Sequence, residues 1–209
     1  MHALIENNEI TKYFNNPKGF TLGEVQYPSD IFMKWSTEEK QAIGIYEVVF
    51  DDSNKKDEQW YINTDQSFAF ADGVVTASYG TATPKAHADS LYTSQDNTDN
   101  LIPSDKSVGD VKTEGLKTVL IRTLKQQVAN ELSKTDWYIT RNAEKSTAIP
   151  SAISTHRDAV RTKQTEMETA IINAVDTPAL ETLYAYVNTG TFESPVIERP
   201  LGELPTLEL

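Results

Sequence analysis

The chain has 209 residues, with 31 acidic and 19 basic side chains, a formal net charge of −12 and no cysteine. That length holds one large domain or two small ones, and a hydrophobic share of 38% is low for one core running throughout. Without cysteine there is no disulfide framework, thiol nucleophile or thiolate metal site. The acidic balance argues against nucleic acid as a partner, and no apolar run approaches the ~18 residues of a membrane span.

Met1–Leu4 opens no signal-peptide pattern, so a soluble chain without an export address is expected. Charge is unevenly placed: residues 1–110 carry 8 Lys and 18 Asp or Glu, whereas residues 111–209 carry 11 Lys or Arg and 13 Asp or Glu. Every Arg lies at or beyond Arg122. This asymmetry predicts two units of different construction. The stretch 81–112 is rich in Ser, Thr, Asp and Asn and lacks a period, which predicts a linker.

The first unit, residues 1–80, is expected to be small, antiparallel and β-rich, with a short helix. Two short strands flank Asn7 and Asn8, residues that tolerate the positive φ of a hairpin turn. Pro17 to Gly19 closes that element, and Ser29–Trp35 reads as a helical turn with Ile31, Phe32 and Trp35 on one side. Ser36 followed by Glu39 is a capping-box pattern, and Gly44 stops the helix it opens. Ile45–Phe50, Trp60–Ile62 and Ser67–Phe70 have strand character, and Asp72-Gly73 marks a hairpin corner before Val74–Tyr79.

The second unit, residues 113–190, is expected to be helical. Leu116, Leu120, Leu124, Val128 and Leu132 recur every four residues and predict an amphipathic helix over about 114–132. Thr135–Tyr138 reads as a corner, where Thr135 or Asp136 can cap free amides and Trp137 can pack beneath. Ile149-Pro150-Ser151 starts a second helix, followed by Ile153, Val160, Met167, Ile171 and Val175. Thr177-Pro178 starts a third, ended by Asn188-Thr189-Gly190. An antiparallel helical hairpin with a third helix across it is expected, a trimeric bundle being the other arrangement open to this spacing. Three prolines and no period predict an extended tail over 191–209. The fold class is thus α+β.

Catalytic and ligand-binding patterns are sparse. His2, His87 and His156 stand far apart without short metal-ligand spacing, and His156 reads as an ordinary surface or packing residue. The Asp96–Asn100 run lacks the central Gly and terminal Glu of a calcium loop. No phosphate-cradling loop or serine elbow occurs. Glu38-Glu39 and Asp51-Asp52 read as a helix start and a strand end. No cofactor, metal or enzymatic activity is expected. Trp35, Trp60 and Trp137 can serve as sugar-stacking faces, but their bulky neighbours favour packing. Arg157 and Arg161, four apart on one helix face, read either as a solvated face or as a grip on a partner's carboxylates or those of the chain's acidic half.

Two stretches carry a resemblance. Trp35-Ser36-Thr37-Glu38-Glu39 through Ala42-Ile43-Gly44-Ile45-Tyr46 is similar to a segment of small phage tail-fibre-assembly proteins. In the helical half, Thr135-Asp136-Trp137 and His156-Arg157-Asp158-Ala159-Val160-Arg161 resemble the "T-D-W" and "Y-R-Q-A-L-R" signatures of the phage tail-assembly-chaperone-like family. The opening, through Glu6-Asn7-Asn8, is similar too. The basic positions ahead of the Thr-Asp-Trp are Arg122 and Lys125, with Gln126 and Gln127 in place of a second Arg. The resemblance spans about residues 1–50 and 116–161. It implies a tail-associated structural or assembly protein, in the virion tail or the host cytoplasm during assembly. Its partners would be other phage tail or fibre proteins and copies of itself, and its interface candidates Trp35, Thr135, Asp136, Trp137, Arg157 and Arg161. The alternatives are a transient fibre-assembly chaperone and a host-surface glycan-binding module.

Overall fold

The computed structural model describes residues 1–207, which form an α+β protein with a sheet-bearing first unit, Met1–Thr83, and a helical second unit from Pro84 onward. In chain order the first unit holds β1 (His2–Glu6), β2 (Glu9–Phe14), β3 (Phe20–Leu22), β4 (Val25–Tyr27), α1 (Ile31–Lys34), α2 (Thr37–Ala42), β5 (Ile45–Asp51), β6 (Tyr61–Ile62), β7 (Gln66–Ala71) and β8 (Val74–Tyr79). β9 (Thr83–Pro84) lies where this unit ends.

The main sheet has the order β2-β1-β5-β8-β7. Its two hairpins turn as the residues dictate, at Asn7 and Asn8 (φ 52° and 68°) and at Asp72 and Gly73 (φ 51° and 74°). Pairing is not antiparallel throughout, because β5 and β8 run parallel, with Val48 opposite Val75 and Phe50 opposite Ala77. This parallel pair arises because β7 returns first and forms the local hairpin with β8, leaving β8 to enter beside β5 in the same direction. The sheet curls until its edge strands approach, with the rings of Tyr13 and Phe68 4.8 Å apart.

Successive residues of a strand face opposite sides, and both faces of β1 are covered. Ala3 lies inside the curl with Val48, Val75 and Ala77. Leu4 lies in a second core on the other face with Phe14, Phe20, Ile31, Phe32 and Ile45. The β3–β4 hairpin supplies Phe20, whose ring is 4.8 Å from that of Phe14; its short strands escape the sequence pattern. The capping box is present: the Glu39 amide donates to Ser36 Oγ, and the Ser36 amide donates to Glu39 Oε2 at 2.7 Å. Gly44 ends α2 at φ 79°, and a Cβ there would stand 2.6 Å from the Ile5 carbonyl oxygen, so only glycine allows this approach.

The second unit holds β10 (Ser90–Leu91), α3 (Ser94–Thr98), β11 (Val111–Thr113), α4 (Leu116–Ser133), α5 (Asp136–Lys145), α6 (Ser151–Asn173), α7 (Thr177–Tyr184), β12 (Val187–Asn188) and β13 (Ile197–Glu198). Residues 81–112, expected as a linker, belong mostly to this unit and are organised by side-chain bonds rather than by apolar periodicity. Asp96 accepts from the Thr93 amide at 2.8 Å and the Thr93 hydroxyl at 2.7 Å, and pairs with Lys112 at 2.5 Å, tying α3 to β11. Asp89 accepts from the Gly115 amide and the Thr118 hydroxyl, fixing the start of α4.

α4 and α6 form the antiparallel hairpin. Lys117 donates to the Ile172 carbonyl at one end, and Glu131 meets His156 at the other. Leu124 and Val128 of α4, and Ile153, Val160, Met167 and Ile171 of α6, are buried. α7 is capped by Asp176, which accepts from the Ala179 amide, and it ends at Tyr184, short of the Asn188 expected. Residues after Phe192 are not an extended tail throughout: β13 pairs with β12, Leu201 is buried, and its amide donates to the Leu183 carbonyl.

The bonds to Asp96, led by that from Lys112, lower its pKa from 3.8 to about 2. Because the folded value is depressed, the stabilisation is complete above the unfolded value and disappears as pH falls through about 2. Asp96→Asn is therefore expected to lower the thermal midpoint at neutral pH, with the gap to the parent closing between about pH 4 and pH 2. Unfolding both proteins across that range checks it, and a gap independent of pH would contradict it.

Candidate functional site

Three of the residues carrying the second resemblance, Thr135, Asp136 and Arg157, meet at one end of the helical hairpin. α4 ends at Ser133, and Thr135, with φ −118° and ψ 4°, breaks the helix before α5. Neither expected cap forms there, as the Thr135 side chain takes no amide of α5. Its hydroxyl instead donates to the Leu132 carbonyl at 3.0 Å. Arg157, reaching across from α6, places Nη1 2.8 Å from the Leu132 carbonyl, 2.7 Å from the Thr135 hydroxyl and 2.9 Å from Asp136 Oδ1. One guanidinium nitrogen thus shares its two N–H groups among three oxygens at the close of α4 and the start of α5. A cation suits the first of these, because a helix C-terminus carries partial negative charge and unpaired carbonyls.

Arg157 is buried, so Arg157 and Arg161 do not share an exposed face, either as a solvated pair or as a grip on a partner. Four-residue spacing puts both on one side of α6, but the corner between α4 and α5 covers only the first. Arg161 remains exposed and contacts Asp158 at 3.4 Å. Trp35 lies in the other unit, half-buried, its ring edge-on to Tyr27 at 5.9 Å, and serves the core. Trp60 is buried and presents no open ring face for stacking.

Beside the clamp, His156 Nε2 lies 3.2 Å from Glu131 Oε1, with both side chains nearly inaccessible. Neither atom makes an aligned hydrogen bond, so the two groups lie close without a directed bond between them. Lys134 donates to the other oxygen of Glu131. That bond, aided by the charges of Lys134 and His156, holds the Glu131 carboxyl below its ordinary range despite burial. A cavity of about 310 Å³ opens next to it, walled by Glu131, Lys134, Arg199 and Glu203. Two carboxylates facing two cations leave it no strong preference for an ion of either sign. Among the described residues no cluster of three His, Asp or Glu side chains is arranged to hold a metal ion, and no helix is long and apolar enough to cross a membrane.

α5 itself was missed as a helix. None of its ten residues is buried. Trp137, expected beneath the hairpin, is instead 52% exposed, its ring 3.8 Å from that of Tyr138 and flanked by the Arg141 guanidinium at 5.9 Å. Glu131 and His156 were also missed as a buried pair. The signal was there for Glu131, three residues beyond Val128 on the buried row of α4. The chain matches no family model, no characterised protein and no solved structure.

Removing the guanidinium would take a donor from the Thr135 hydroxyl and the Asp136 carboxylate and leave the Leu132 carbonyl to its local donors alone. Arg157→Ala is expected to cost about 3 kcal/mol, since breaking one side of a buried charged pair typically costs ~3–5 kcal/mol and Asp136 is partly solvated. Arg161→Ala is expected to stay within about 0.5 kcal/mol. Urea unfolding followed by helical circular dichroism measures both, and equal costs would refute the clamp.

Proposed function

We propose that this chain is a bacteriophage tail-associated structural or assembly protein that acts through protein–protein contacts, without catalysis, as a component retained in the tail or fibre apparatus. The observation that carries this reading is the convergence of Thr135, Asp136 and Arg157. These residues come from the two signatures of the helical half, which lie about twenty positions apart in sequence, and they bond directly to one another. A resemblance of unrelated short strings would not require its residues to meet in one clamp.

The clamp has a consequence suited to assembly. It directs the chain into α5, where Trp137 and Ile139 stand exposed on a helix that buries none of its own residues. A ten-residue helix gains little from its own hydrogen bonds in water and depends on packing, so α5 is suited to be covered by a neighbour in the tail. Large aromatic side chains dominate such contacts when a partner desolvates them. The partners are other tail or fibre proteins, and the location is the virion tail, reached through the host cytoplasm during assembly.

Quantitative mass spectrometry of purified intact particles tests the reading. A fixed copy number relative to the major tail protein is expected, reduced at least several-fold by Trp137→Ala with the circular dichroism spectrum unchanged. Absence from particles alongside abundance in infected cells would replace the retained component with a transient chaperone. No association with tail or fibre proteins in either fraction would overturn the reading.

A further inference from the structure

The C-terminal hairpin of β12 and β13 is a two-stranded sheet standing alone, with no third strand on either edge among the described residues. Isolated hairpins are marginal in water and gain stability from further strands and an apolar face. This one carries the apolar side chains without the strands: Tyr186, Val187, Val196 and Ile197 are exposed, and Phe192 at its tip is 98% exposed.

Its two edges differ. β13 is preceded by Pro195, which has no amide to donate and, two residues before the outward-facing Ile197, guards that edge. β12 has no such guard. Val187 pairs opposite Glu198 and Asn188 opposite Ile197, and the Thr189 amide donates to the Val196 carbonyl. Antiparallel pairs alternate in the direction of their bonds, so this pattern turns the amide and carbonyl of Asn188 outward, together with those of Tyr186 two residues earlier.

We infer that β12 is a self-association edge, pairing antiparallel with β12 of a second copy about a two-fold axis to make a four-stranded sheet. Charge admits a second copy at this edge. A chain of net charge −12 repels its copy over much of its surface, but residues 185–192 contain no charged side chain. The edge that would touch its own copy is therefore neutral. Geometry selects the register. With Val187 facing Val187 on the axis, the outward groups of Tyr186 and Asn188 bond reciprocally across it. A register centred on Asn188 would call on the Gly190 amide, which already donates to Asn188 Oδ1 at 3.0 Å. The inference concerns a surface separate from the clamp and holds whether or not the chain belongs to a phage tail.

Sedimentation velocity of the full-length chain from about 1 to 200 µM tests it. A concentration-dependent shift toward twice the 23.4 kDa chain mass is expected. Val187→Lys sets two like charges directly opposite each other on the axis, and should weaken the dimer at least ~10-fold. Val187→Ile should preserve it. Tyr186→Pro deletes an outward amide without touching the inner ladder and should weaken the dimer as well, which guards against a misfolded lysine variant. A parent that stays monomeric throughout would overturn the inference, as would a dimer indifferent to both Val187→Lys and Tyr186→Pro.

Discussion

The arrangement of the helical unit depends on where one buried cation finds its oxygens. Arg157 sits beside His156 on the buried side of α6, between Ile153 and Val160, where an unpaired charge would be prohibitive. It is tolerable because α4 stops where its last carbonyls can be offered to the guanidinium, and because Thr135 and Asp136 follow at once. The helix break, the register of α4 against α6 and the departure of α5 are therefore one event. A hydrophobic residue at position 157 of similar volume would pack, but nothing would then fix where α4 ends.

The first unit solves a different problem. A strand buried on both faces must be apolar at successive positions, which β1 achieves with Ala3 and Leu4, each belonging to a different core. The small side chain faces the crowded inside of the curled sheet, and the larger one faces the aromatic cluster built from Phe14, Phe20 and Phe32. The Gly44 contact with the Ile5 carbonyl then brings the end of α2 against the same strand. One short strand thus anchors both faces.

How much of this was legible in the sequence follows from the range of the interactions. The capping box at Ser36, the turns at Asn7-Asn8 and Asp72-Gly73, and the long periods of α4 and α6 are local, so residue order alone displays them. The parallel pairing of β5 with β8 depends on which strand returns first, and no local pattern encodes it. α5 was hidden because its large apolar residues, Trp137, Tyr138 and Ile139, are consecutive rather than spaced at three or four. Residues 90–113 were hidden because Asp96 and Asp89 order them by hydrogen bonds to Lys112, Thr93, Gly115 and Thr118, and such side chains look like those of any solvated loop. At the clamp, the sequence indicated the right residues in Thr135, Asp136 and Arg157 but not their roles. Spacing of four says that Arg157 and Arg161 share a side, and only the position of the corner says which of them is covered.

The distribution of charge gives these surfaces a common logic. The 8 Lys against 18 Asp or Glu in residues 1–110 leave that portion at −10, and residues 111–209 stand at −2. At physiological salt, screening reaches about 8 Å, so at contact distance like charges still oppose one another while more distant ones do not. Association is therefore easiest where the local charge is nearly balanced. α5 offers Asp136 and Glu144 against Arg141 and Lys145, and β12 offers no charge at all. Both elements also leave apolar side chains exposed. Local neutrality removes the electrostatic barrier, exposed apolar area supplies the gain, and the acidic remainder of the molecule discourages contact elsewhere. Contact at α5 and at β12 is thus opposed by less charge than contact over the acidic portion of the chain.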